Sequence, residues 1–330
     1  MRCTNFAFAG FRHDHIFMLY NALSAREDIR IVGAFEADAQ ARANAEKKGV
    51  VFTYDSLEQL LADPQVEVVA IGDYFGARGG IAIRALQAGK HVLSDKPICT
   101  SLRELETIRA EAEARNLTVG MMLDMRSNPR IYTALEAIRG GAVGKISNVC
   151  FEGQHPLMYS LRPRWYYEEG KHGGVINDIA IHGIDILRLL GCGKVAKVVG
   201  ARSWNFYAYD DPQFEDCTQF ILEMENGAGV IGDVSYSCPD VQLYGLPTYW
   251  HFRVWGDQGM LDFGVNLPEV TLYAKGERQG RALELITPEA DYLDLFLQAM
   301  ANPELRAKHN AENYFSSEQT LLVQQAADNN

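Results

Sequence analysis

The first third of the sequence alternates short apolar runs with helical segments, and this alternation limits the possible folds more than any other feature. Each apolar run is long enough for one buried strand, and each helical segment is long enough to cross back over a sheet. Repeated strand–helix–strand units favour a parallel sheet with right-handed crossovers. The predicted strands are Asn5–Ala9, Ile29–Phe35, Val66–Gly72, His91–Ser94 and Leu117–Met122, and the predicted helices are His15–Ala25, Ala37–Lys48, Gly79–Ala88 and Ser101–Arg115.

After the first third, the pattern changes to one helix, Pro129–Gly140, followed by long strands of alternating polarity. Asn226-Gly227 predicts a two-residue hairpin turn, and Gly256–Gly259 predicts a second tight turn. We expect an antiparallel sheet of five or six strands, and a return to helix from about Asp291. The predicted strands are Ile146–Gly153, Val195–Phe206, Cys217–Glu225, Gly229–Tyr236, Tyr249–Trp255, Met260–Phe263 and Val270–Tyr273.

Size and composition place the chain among ordinary globular proteins. At 330 residues it exceeds the length at which one hydrophobic core stops growing, so two domains are expected. Hydrophobic residues make up 47% of the chain and charged residues 22%. The formal net charge of −12 argues against nucleic acid or an anionic membrane as a partner, because both repel a negative protein at long range.

The cysteines and the first residues favour a cytoplasmic protein. The six cysteines are scattered and show neither a CxxC pair nor the spacing of metal ligands. In a chain of this length such a distribution is typical of reduced thiols. The sequence leads straight into a strand pattern without the features of a signal peptide, and no apolar run approaches the roughly 20 residues needed to span a bilayer.

The turn after the first predicted strand lies where a dinucleotide-binding fold carries its phosphate-binding glycines. Gly10 supplies the first glycine of the GxGxxG pattern, but Arg12 occupies the second position and His15 the third. The second glycine normally lets the pyrophosphate approach the backbone, so we expect Arg12 to turn away or to contact the phosphates itself. The order strand, glycine, turn and helix still favours a Rossmann dinucleotide-binding domain.

Glu36 ends the second predicted strand, where an acidic side chain accepts hydrogen bonds from the adenosine ribose and repels a 2′-phosphate. NAD is therefore the expected cofactor. Arg12 and Arg42 keep NADP open, because either guanidinium could meet a phosphate. The alternative interpretation of Glu36 is a solvated acid at a strand end.

The segment Gly173–Asp185, GGVINDIAIHGID, predicts a helix that carries Asp178, His182 and Asp185 on one face. A histidine with a carboxylate one turn away is suited to proton transfer near neutral pH. Apolar residues beside this polar stripe indicate that it faces a covered cleft, while a surface helix is the alternative. The residues expected on the opposite, core-facing side are Ile176, Ile179, Gly183, Leu187 and Leu190.

Lys96 follows strand His91–Ser94, at the edge of the sheet where ligands bind. A lysine there could hydrogen-bond a substrate hydroxyl and stabilise charge that develops on its oxygen. Pro97 biases the backbone of Lys96 to an extended conformation. The alternative is a Lys-Pro pair at an ordinary strand exit.

Three elements in this order make the chain resemble the Gfo/Idh/MocA oxidoreductases, whose signature combines an N-terminal Rossmann domain, a Glu-Lys-Pro motif and a later Gly-Gly…Asp-x-x-x-His segment. The second element appears as Ala88–Pro97, AGKHVLSDKP, with Asp95 in place of the usual Glu, and the third as Gly173–His182. The stretch that commonly reads Thr-Pro-Asn-x-x-His is Asp73–Arg78 here, so contacts near the inner ribose are expected to differ. Further matches are Ala85-Leu86, Arg126…Pro129 and Gly141…Gly144-Lys145-Ile146.

The resemblance implies an α/β fold with a Rossmann domain at residues 1–123. A substrate-binding and oligomerisation α+β domain at residues 124–330 would carry a large, mostly antiparallel open sheet, and the last helix could pack back on the first domain. It further implies hydride transfer between NAD and a carbinol carbon of a sugar, sugar derivative or cyclitol, without a metal. The cofactor contacts expected from it are Gly10, Phe11, Arg12, His13, His15, Glu36, Asp73, Tyr74, Arg78, Asp95 and Lys96.

The resemblance also implies that Lys96, Asp178 and His182 are catalytic. In the oxidative direction His182 would take the hydroxyl proton and Lys96 would polarise the oxygen. Asp178 would orient His182 or bind a neighbouring hydroxyl. The expected substrate contacts are Lys96, Arg126, His155, Arg164, Trp165, Asp178 and His182.

Aromatic and basic residues between positions 155 and 172 are less specific candidates. Trp165 and Tyr166 could stack on a sugar face or pack in the core. Arg162 and Arg164 could bind an acidic sugar or lie on the surface.

Three other functions stay open. One is a metal-dependent lyase or epimerase with Asp178, His182, His155 and His172 as ligands. Another is a sensor that binds NAD and a sugar without turnover. The third is an enzyme that retains its NAD for oxidation–elimination or epimerisation, which release of NADH into solution would exclude.

Apolar residues on both faces of the predicted sheet favour an oligomer. One face is expected to cover helices, and the other to pair with another subunit, as the resemblance implies. We therefore expect a homodimer or homotetramer formed through this sheet. The residues concerned are Ile221, Met224, Val230, Val234, Phe252 and Val254.

Overall fold

The computed structural model describes residues 3–329, and the chain divides into two compact units. The first unit comprises the chain up to Met122 together with Gly170–Gly173 and Leu293–Ser317. The second comprises Leu123–Glu169, Gly174–Tyr292 and the chain from Glu318. Among residues 3–329, no helix combines the length and the apolar character needed to cross a bilayer.

The first unit is built on a five-stranded parallel sheet of order β2-β1-β3-β4-β5. Its central strands are buried, as the apolar sequence runs predicted, and all four residues of β3 lie in the core. The predicted α/β class with a Rossmann-type parallel sheet is confirmed. The strands are β1 (Thr4–Ala9), β2 (Ile29–Phe35), β3 (Val68–Ile71), β4 (His91–Ser94) and β5 (Val119–Met121), and the helices are α1 (His15–Ser24), α2 (Ala39–Lys47), α3 (Leu57–Ala62), α4 (Phe75–Gln87) and α5 (Leu102–Arg115).

Two helices of this unit differ from the prediction. The sequence analysis missed α3, a short helix whose first turn is capped by Ser56, because its Oγ accepts the N–H of Gln59 at 3.2 Å. Helix α4 begins four residues before the predicted start at Gly79, a residue type that disfavours helices. Gly79 allows α4 and α5 to lie close together, since a Cβ there would lie 2.5 Å from the carboxyl carbon of Glu104 on α5 and that side chain would have to move.

The strand order of this sheet reverses between β1 and β3, so the loops after these strands are neighbours at its carboxyl edge. In open parallel sheets, ligands bind at such a reversal point. The loop after β1 carries Gly10–His13, the loop after β3 carries Asp73 and Tyr74, and the loop after the adjacent β4 carries Asp95 and Lys96. The fold thereby brings most of the predicted cofactor contacts to one edge.

The second unit is built on an eight-stranded sheet of order β13-β12-β11-β10-β6-β9-β8-β7. All neighbouring pairs are antiparallel except β6 and β9. The mostly antiparallel sheet is confirmed, but the expected count of five or six strands is wrong, because all seven predicted strands and the two-residue β13 join one sheet. The elements are α6 (Pro129–Arg139), β6 (Ile146–Pro156), α7 (Ile181–Leu189), β7 (Val195–Trp204), β8 (Cys217–Met224), β9 (Gly229–Cys238), β10 (His251–Gly256), β11 (Gly259–Gly264), β12 (Thr271–Ala274) and β13 (Arg281–Ala282).

Both predicted hairpins of this sheet are present, but the first has a longer turn than the two residues predicted, because β8 ends at Met224 and β9 begins at Gly229. Asn226 and Gly227 lie in the turn between β8 and β9, where Gly227 adopts a φ of +86° that favours glycine. Asp257 and Gln258 form the two-residue connection between β10 and β11. These turns set the register that places side chains of each strand on the covered or the uncovered face.

The distribution of apolar side chains over the two sheet faces differs from the prediction. Of the six residues named for both faces, only Ile221 is exposed, at 49%, whereas the other five are buried. The uncovered face is apolar at Ile221 and at Ile231, which pairs directly with it and is 54% exposed. Elsewhere this face carries charged pairs such as Arg253 with Glu152, 3.1 Å apart.

The helical tail consists of α8 (Tyr292–Ala301) and α9 (Pro303–Asp328), as the sequence predicts from about Asp291. In the first unit, Asn310 of α9 accepts the N–H of Val119 at 2.9 Å, and Asn313 accepts the N–H of Met121 at 3.0 Å. These two amides satisfy backbone donors on edge strand β5, which would otherwise be open to pairing.

Candidate active site

The turn after β1 has the backbone of a phosphate-binding loop. Gly10 adopts a φ of +89°, and a Cβ on it would lie only 2.6 Å from the backbone nitrogen of Asp73. Only glycine allows the loop after β1 to lie this close to the loop after β3. Helix α1 begins at His15, immediately after the turn, so its first N–H groups and positive dipole end lie at the predicted phosphate position.

Arg12, which replaces the second glycine, is turned toward two acids. Its Nε lies 3.2 Å from the Asp73 carboxylate and 3.4 Å from Glu36, and its guanidinium lies 5.0 Å from the centroid of the Tyr74 ring. Burial alone would lower the pKa of Arg12, but the charges of Asp73 and Glu36 outweigh it, and the pKa is raised above its ordinary value. The guanidinium therefore keeps its positive charge. Of the two expectations for Arg12, its side chain turned away from the turn backbone is the one observed.

Glu36 lies at the strand end that the sequence predicts for a ribose acceptor. Its carboxylate accepts the N–H of Phe11 at 2.5 Å and the N–H of Asp38 at 2.7 Å. Burial raises the pKa of Glu36 above its ordinary value, although these two N–H groups act in the opposite direction. The buried position excludes the alternative of a solvated acid. Phe11 contributes its backbone here, since its ring packs against Phe8 at 5.6 Å.

Lys96 lies in a turn that a buried ionic cluster holds. Arg78 is fully buried, and its Nη2 donates to the Asp95 carboxylate at 2.9 Å. His13 donates a second hydrogen bond to the same carboxylate oxygen. Lys96 itself is buried, and its peptide bond to Pro97 is cis. Arg78 thus has partners within the protein, and its expected contact with the cofactor stays a prediction.

His13, His15 and Asp95 form the one group within residues 3–329 whose His, Cys, Asp or Glu ligand atoms are close enough to share a cation, all within 4.8 Å. Arg78 already binds the carboxylate, and the positive end of α1 adjoins it, so the local field opposes a cation. The contacts favour a hydrogen-bonded cluster. Among residues 3–329, the alternative metal ligands Asp178, His182, His155 and His172 do not form a group of this kind.

In the second unit, Gly174 opens the segment that carries the predicted acid and base. It has a φ of +92°, and a Cβ on it would lie 2.2 Å from the side chain of Gln324. A π-helical turn, Ile176–Ala180, follows and leads into α7. Such turns are rare and recur at functional sites.

The helix is covered on all sides, which agrees with the predicted covered position of the polar stripe and excludes a surface helix. All residues from Val175 to Leu187 are buried, because the helix packs between the sheet and other segments of its own unit. Gly183 allows the closest approach, since a Cβ there would lie 2.3 Å from the ring of Phe151 on β6. The π-helical turn also contains one extra residue, which shifts the faces from their α-helical positions.

Asp178 lies in the π-helical turn and accepts a hydrogen bond from the hydroxyl of Tyr236 on β9. Burial, followed by the charge of Asp178, raises the pKa of Tyr236 well above its ordinary value, so the phenol stays protonated and donates. The guanidinium of Arg162 lies 4.7 Å from the Tyr236 ring centroid and 4.6 Å from that of Tyr166. A positive charge therefore accompanies the carboxylate.

His182 lies near the start of α7 against an aromatic wall. Its ring is 5.7 Å from Trp250 in an edge-on arrangement, and it is buried with 7% exposure. His155 contacts the same tryptophan at 5.8 Å and Tyr249 at 5.0 Å. Trp165, another predicted substrate contact, is buried and stacks on Tyr166 at 4.1 Å.

Two predicted substrate contacts are engaged by carboxylates of the protein. Arg126 donates from Nε and Nη2 to both oxygens of Asp185, at 2.6 Å each. Arg164 donates to both oxygens of Asp211, at 2.9 and 2.8 Å, and its side chain is largely exposed. Such bidentate pairs fix loops and helices, and substrate binding by either arginine stays a prediction.

The sequence analysis did not identify Tyr236 and Trp250 as parts of the site. Both follow strand patterns in which an aromatic residue is typical of the core. Their neighbours Asp178 and His182 lie 58 and 68 residues earlier in the chain, so only the register of β9 and the start of β10 reveals the contacts. Together the four side chains offer an acid, a base, a hydroxyl donor and an aromatic wall, a set suited to a polyhydroxylated ligand.

Two family models match the chain. The model described as oxidoreductase family, NAD-binding Rossmann fold, matches residues 6–123, and the model described as GFO/IDH/MocA C-terminal domain matches residues 131–262. The chain belongs to the Gfo/Idh/MocA oxidoreductase family. Its first domain is accordingly an NAD-binding Rossmann domain, and the resemblance drawn from the sequence is confirmed.

Curated relatives of this chain include several dehydrogenases. Levoglucosan dehydrogenase of Pseudarthrobacter phenanthrenivorans is 28% identical over 47% of this chain and 41% of its own length. D-xylose dehydrogenase of Paenarthrobacter nicotinovorans is 25% identical over 69% and 59%. scyllo-Inositol 2-dehydrogenase (NADP(+)) of Bacillus subtilis is 28% identical over 42% and 38%. The matched stretches thus span about half the length of these relatives.

Solved structures share the fold over nearly the whole chain. An inositol dehydrogenase homolog from Azotobacter vinelandii, complexed with NADH and myo-inositol, superimposes with a TM-score of 0.80 at 21% identity and covers 99% of this chain and 96% of its own. An NAD-binding protein from Listeria innocua gives a TM-score of 0.81 at 21% identity, covering 100% and 98%. At these identities the likeness shows the fold.

Proposed function

We propose that the protein is an NAD-dependent oxidoreductase that transfers a hydride between nicotinamide and a carbinol carbon of a sugar, a sugar derivative or a cyclitol. The observation that carries this proposal is the buried carboxylate of Asp178, hydrogen-bonded to Tyr236 and one turn before His182, in a chain with an NAD-binding domain. The names of the levoglucosan, xylose and inositol dehydrogenases among its relatives support the substrate class.

The residues of the nucleotide-binding unit fit the cofactor. Gly10 leaves the space that a Cβ would fill, the amino end of α1 can take the pyrophosphate, and Glu36 lies where the adenosine ribose is expected. When bound, the nicotinamide ring supplies the acceptor or donor of the hydride.

The chain supplies the proton transfer and the charge stabilisation. In the oxidative direction His182 takes the proton of the substrate hydroxyl, and Lys96 donates a hydrogen bond to the oxygen as negative charge develops on it. Asp178 holds a negative charge near His182 or binds a neighbouring hydroxyl, while Tyr236 fixes the direction of that carboxylate. The aromatic wall around Trp250 would cover the apolar face of a sugar ring.

Replacement of the proposed catalytic residues tests the mechanism. We expect Lys96→Ala or His182→Ala to lower turnover at least about a hundredfold while the Kd for NADH stays within about threefold, because each removes one positioned donor or base. Lys194→Ala, which removes an exposed lysine of the second unit, is the control. Wild-type turnover by the His182 variant would contradict the assignment.

The choice between NAD and NADP follows from Glu36. We propose NAD, because the buried carboxylate would repel a 2′-phosphate, and because Arg12 is drawn toward Glu36 and Asp73. Separate titrations with NADH and NADPH, followed by energy transfer from tryptophan to the reduced nicotinamide, test this choice. Tight NADH and weak NADPH binding would support it. Absence of binding by either would favour the metal-dependent alternative.

Release of the reduced cofactor separates a simple dehydrogenase from an enzyme that retains its NAD. Stoichiometric NADH that appears in a filtrate after addition of an oxidisable polyol supports the dehydrogenase. Reduced nicotinamide that stays with the protein supports oxidation–elimination or epimerisation. Binding of NAD and sugar without reduction in any polyol screened supports the non-catalytic sensor.

We further propose that the protein forms a homodimer or homotetramer through the uncovered face of the eight-stranded sheet. The paired, exposed side chains of Ile221 and Ile231 support this, since apolar area on a sheet face favours association. An Ile221→Lys/Ile231→Lys variant should lower the mass in solution at micromolar concentration, and a monomeric wild type would contradict the proposal. A cytoplasmic location is supported by six cysteines that are all thiols within the described residues.

A further inference from the structure

We infer that Arg78 is a positioning residue for Lys96, and that Arg78 and Asp95 form a matched pair. In the motifs that the chain resembles, position 78 is a histidine and position 95 a glutamate. In this chain position 78 is an arginine, which is longer than histidine, and position 95 is an aspartate, which is one methylene shorter than glutamate. The inference deepens the proposed function and rests on the role proposed there for Lys96.

One guanidinium ties together two of the loops at the carboxyl edge of the parallel sheet. Arg78 Nε donates to the carbonyl of Asp73 at 2.7 Å, in the loop after β3. Its Nη1 donates to the carbonyl of Lys96 at 2.6 Å and to that of Pro97 at 3.2 Å, in the loop after β4. Its Nη2 donates to Asp95. The backbone on both sides of the Lys96–Pro97 bond is thereby fixed from a single side chain.

The acid of the pair has a further partner in a third loop. His13, in the turn after β1, donates to the Asp95 carboxylate, which is fully buried. Burial lowers the pKa of His13 to about 4, so this imidazole is neutral near pH 7 and Arg78 supplies the compensating charge. Burial alone would raise the pKa of Asp95, but Arg78 and His13 hold it well below its usual value.

The geometry explains why the two positions must change together. An imidazole at position 78 has two nitrogens and a shorter reach, so it cannot serve Asp95 and the carbonyls of Asp73, Lys96 and Pro97 at once. A glutamate at position 95, opposite an arginine, would push an extra methylene into a fully buried cluster. Each single exchange therefore moves the backbone of Lys96, and the double exchange restores a matched pair.

The test compares the wild type with Arg78→His, Asp95→Glu and the double variant. The control is Arg84→His. Arg84 lies on α4, like Arg78, and its replacement removes an exposed ion pair with Glu58 of α3. We measure kcat and KM for the polyol, the Kd for NADH, and hydrogen exchange of the peptide Ser94–Thr100. Displacement of a catalytic group by about 1 Å can lower kcat by about a hundredfold.

We expect each single variant to lose at least about tenfold in kcat, with KM and the Kd for NADH within about threefold of wild type. The double variant should recover to within about threefold of the wild-type kcat. A simple loss of folded protein would scale all turnover without this recovery. Wild-type kcat in Arg78→His would overturn the inference, as would a double variant that is unfolded or no better than the weaker single variant.

Hydrogen exchange separates this inference from the proposed function. If the wild type oxidises no polyol, the proposed function fails. Hydrogen exchange alone then tests whether Arg78 fixes the Lys96 turn. Faster exchange of Ser94–Thr100 in Arg78→His, reversed in the double variant, supports Arg78 as the residue that fixes this turn. Unchanged exchange in Arg78→His overturns the inference, whatever the activity.

Discussion

The ion pair between Arg126 and Asp185 tests whether Arg126 binds substrate or supports the helix that carries His182. Both guanidinium donors reach the carboxylate at 2.6 Å, and the side chains are only 11% and 2% exposed. Replacing Arg126 with Met keeps most of the aliphatic stem but leaves the carboxylate of Asp185 buried with one partner fewer. Arg188, 3.6 Å away, compensates part of the charge.

The expected loss follows from the burial of this pair. Removing one partner of a buried ion pair costs about 3–5 kcal/mol, and Arg188 places Arg126→Met at about 3 kcal/mol. For a unit of this size, that corresponds to a fall of roughly 6–12 °C in the thermal midpoint. Removing the charge as well, in Arg126→Met/Asp185→Asn, should return at least about 1 kcal/mol, because no uncompensated carboxylate remains.

Thermal and urea unfolding of the purified proteins measure this difference, and Arg139→Met provides the control. Arg139 pairs with Glu136 on α6 at 2.5 Å, but the two side chains are 48% and 35% exposed. The control should therefore lose less than about 0.5 kcal/mol. If Arg126→Met instead unfolds within about 2 °C of wild type and raises only the KM for the polyol, the structural explanation fails and the prediction of substrate binding returns.

Two further variants test the surroundings of the proposed catalytic residues and the buried sheet. Tyr236→Phe should lower kcat at least about tenfold, because Asp178 loses a buried hydrogen-bond donor, whereas Tyr167→Phe, which loses only a 3.4 Å contact, should stay within about twofold. Burial lowers the pKa of His91 from 6.5 to about 4 in the folded protein. As the pH is lowered from 6.5 to 4, His91 therefore takes up a proton in the unfolded chain but not in the folded one, and the free energy of unfolding falls by up to about 3 kcal/mol. His91→Asn, which keeps an acceptor without titrating, should flatten that part of the stability–pH curve, and an unchanged slope would exclude His91 as its cause.

The sequence predicted the nucleotide-binding unit well because its signals are local. Strands β2 and β4 have the predicted bounds, since each is an apolar run that ends at a turn or helix start. Gly10 and Glu36 were recognisable because their positions relative to strand ends are fixed by the fold. Helix α3 was missed although Ser56 and Gln59 have the spacing of a helix cap, because six residues give too little hydrophobic periodicity.

The backbone of the helix around His182 could not be predicted in the same way. The flanking apolar residues indicated a covered position, and both Asp178 and His182 are buried, but Asp178 lies in a π-helical turn that the sequence did not indicate. No sequence periodicity distinguishes that turn from an α-helix, because one inserted residue is stabilised by packing against the sheet and not by local propensity. The same limit applies to Tyr236, whose hydroxyl meets Asp178 only through the register of β9.

Arginines show that residue type alone does not indicate the protein partner of a side chain. Arg78, Arg126 and Arg164 were all predicted to contact ligands, and each lies within 3 Å of a carboxylate on another segment. The partners lie 17, 59 and 47 residues away in the chain, so local patterns carry no information on them. The side chains of Arg78 and Arg126 are largely buried and need such a partner, whereas the Arg164 side chain is largely exposed. For Arg78 that acid is Asp95, which places the arginine one residue from the proposed catalytic lysine and makes its effect on turnover indirect.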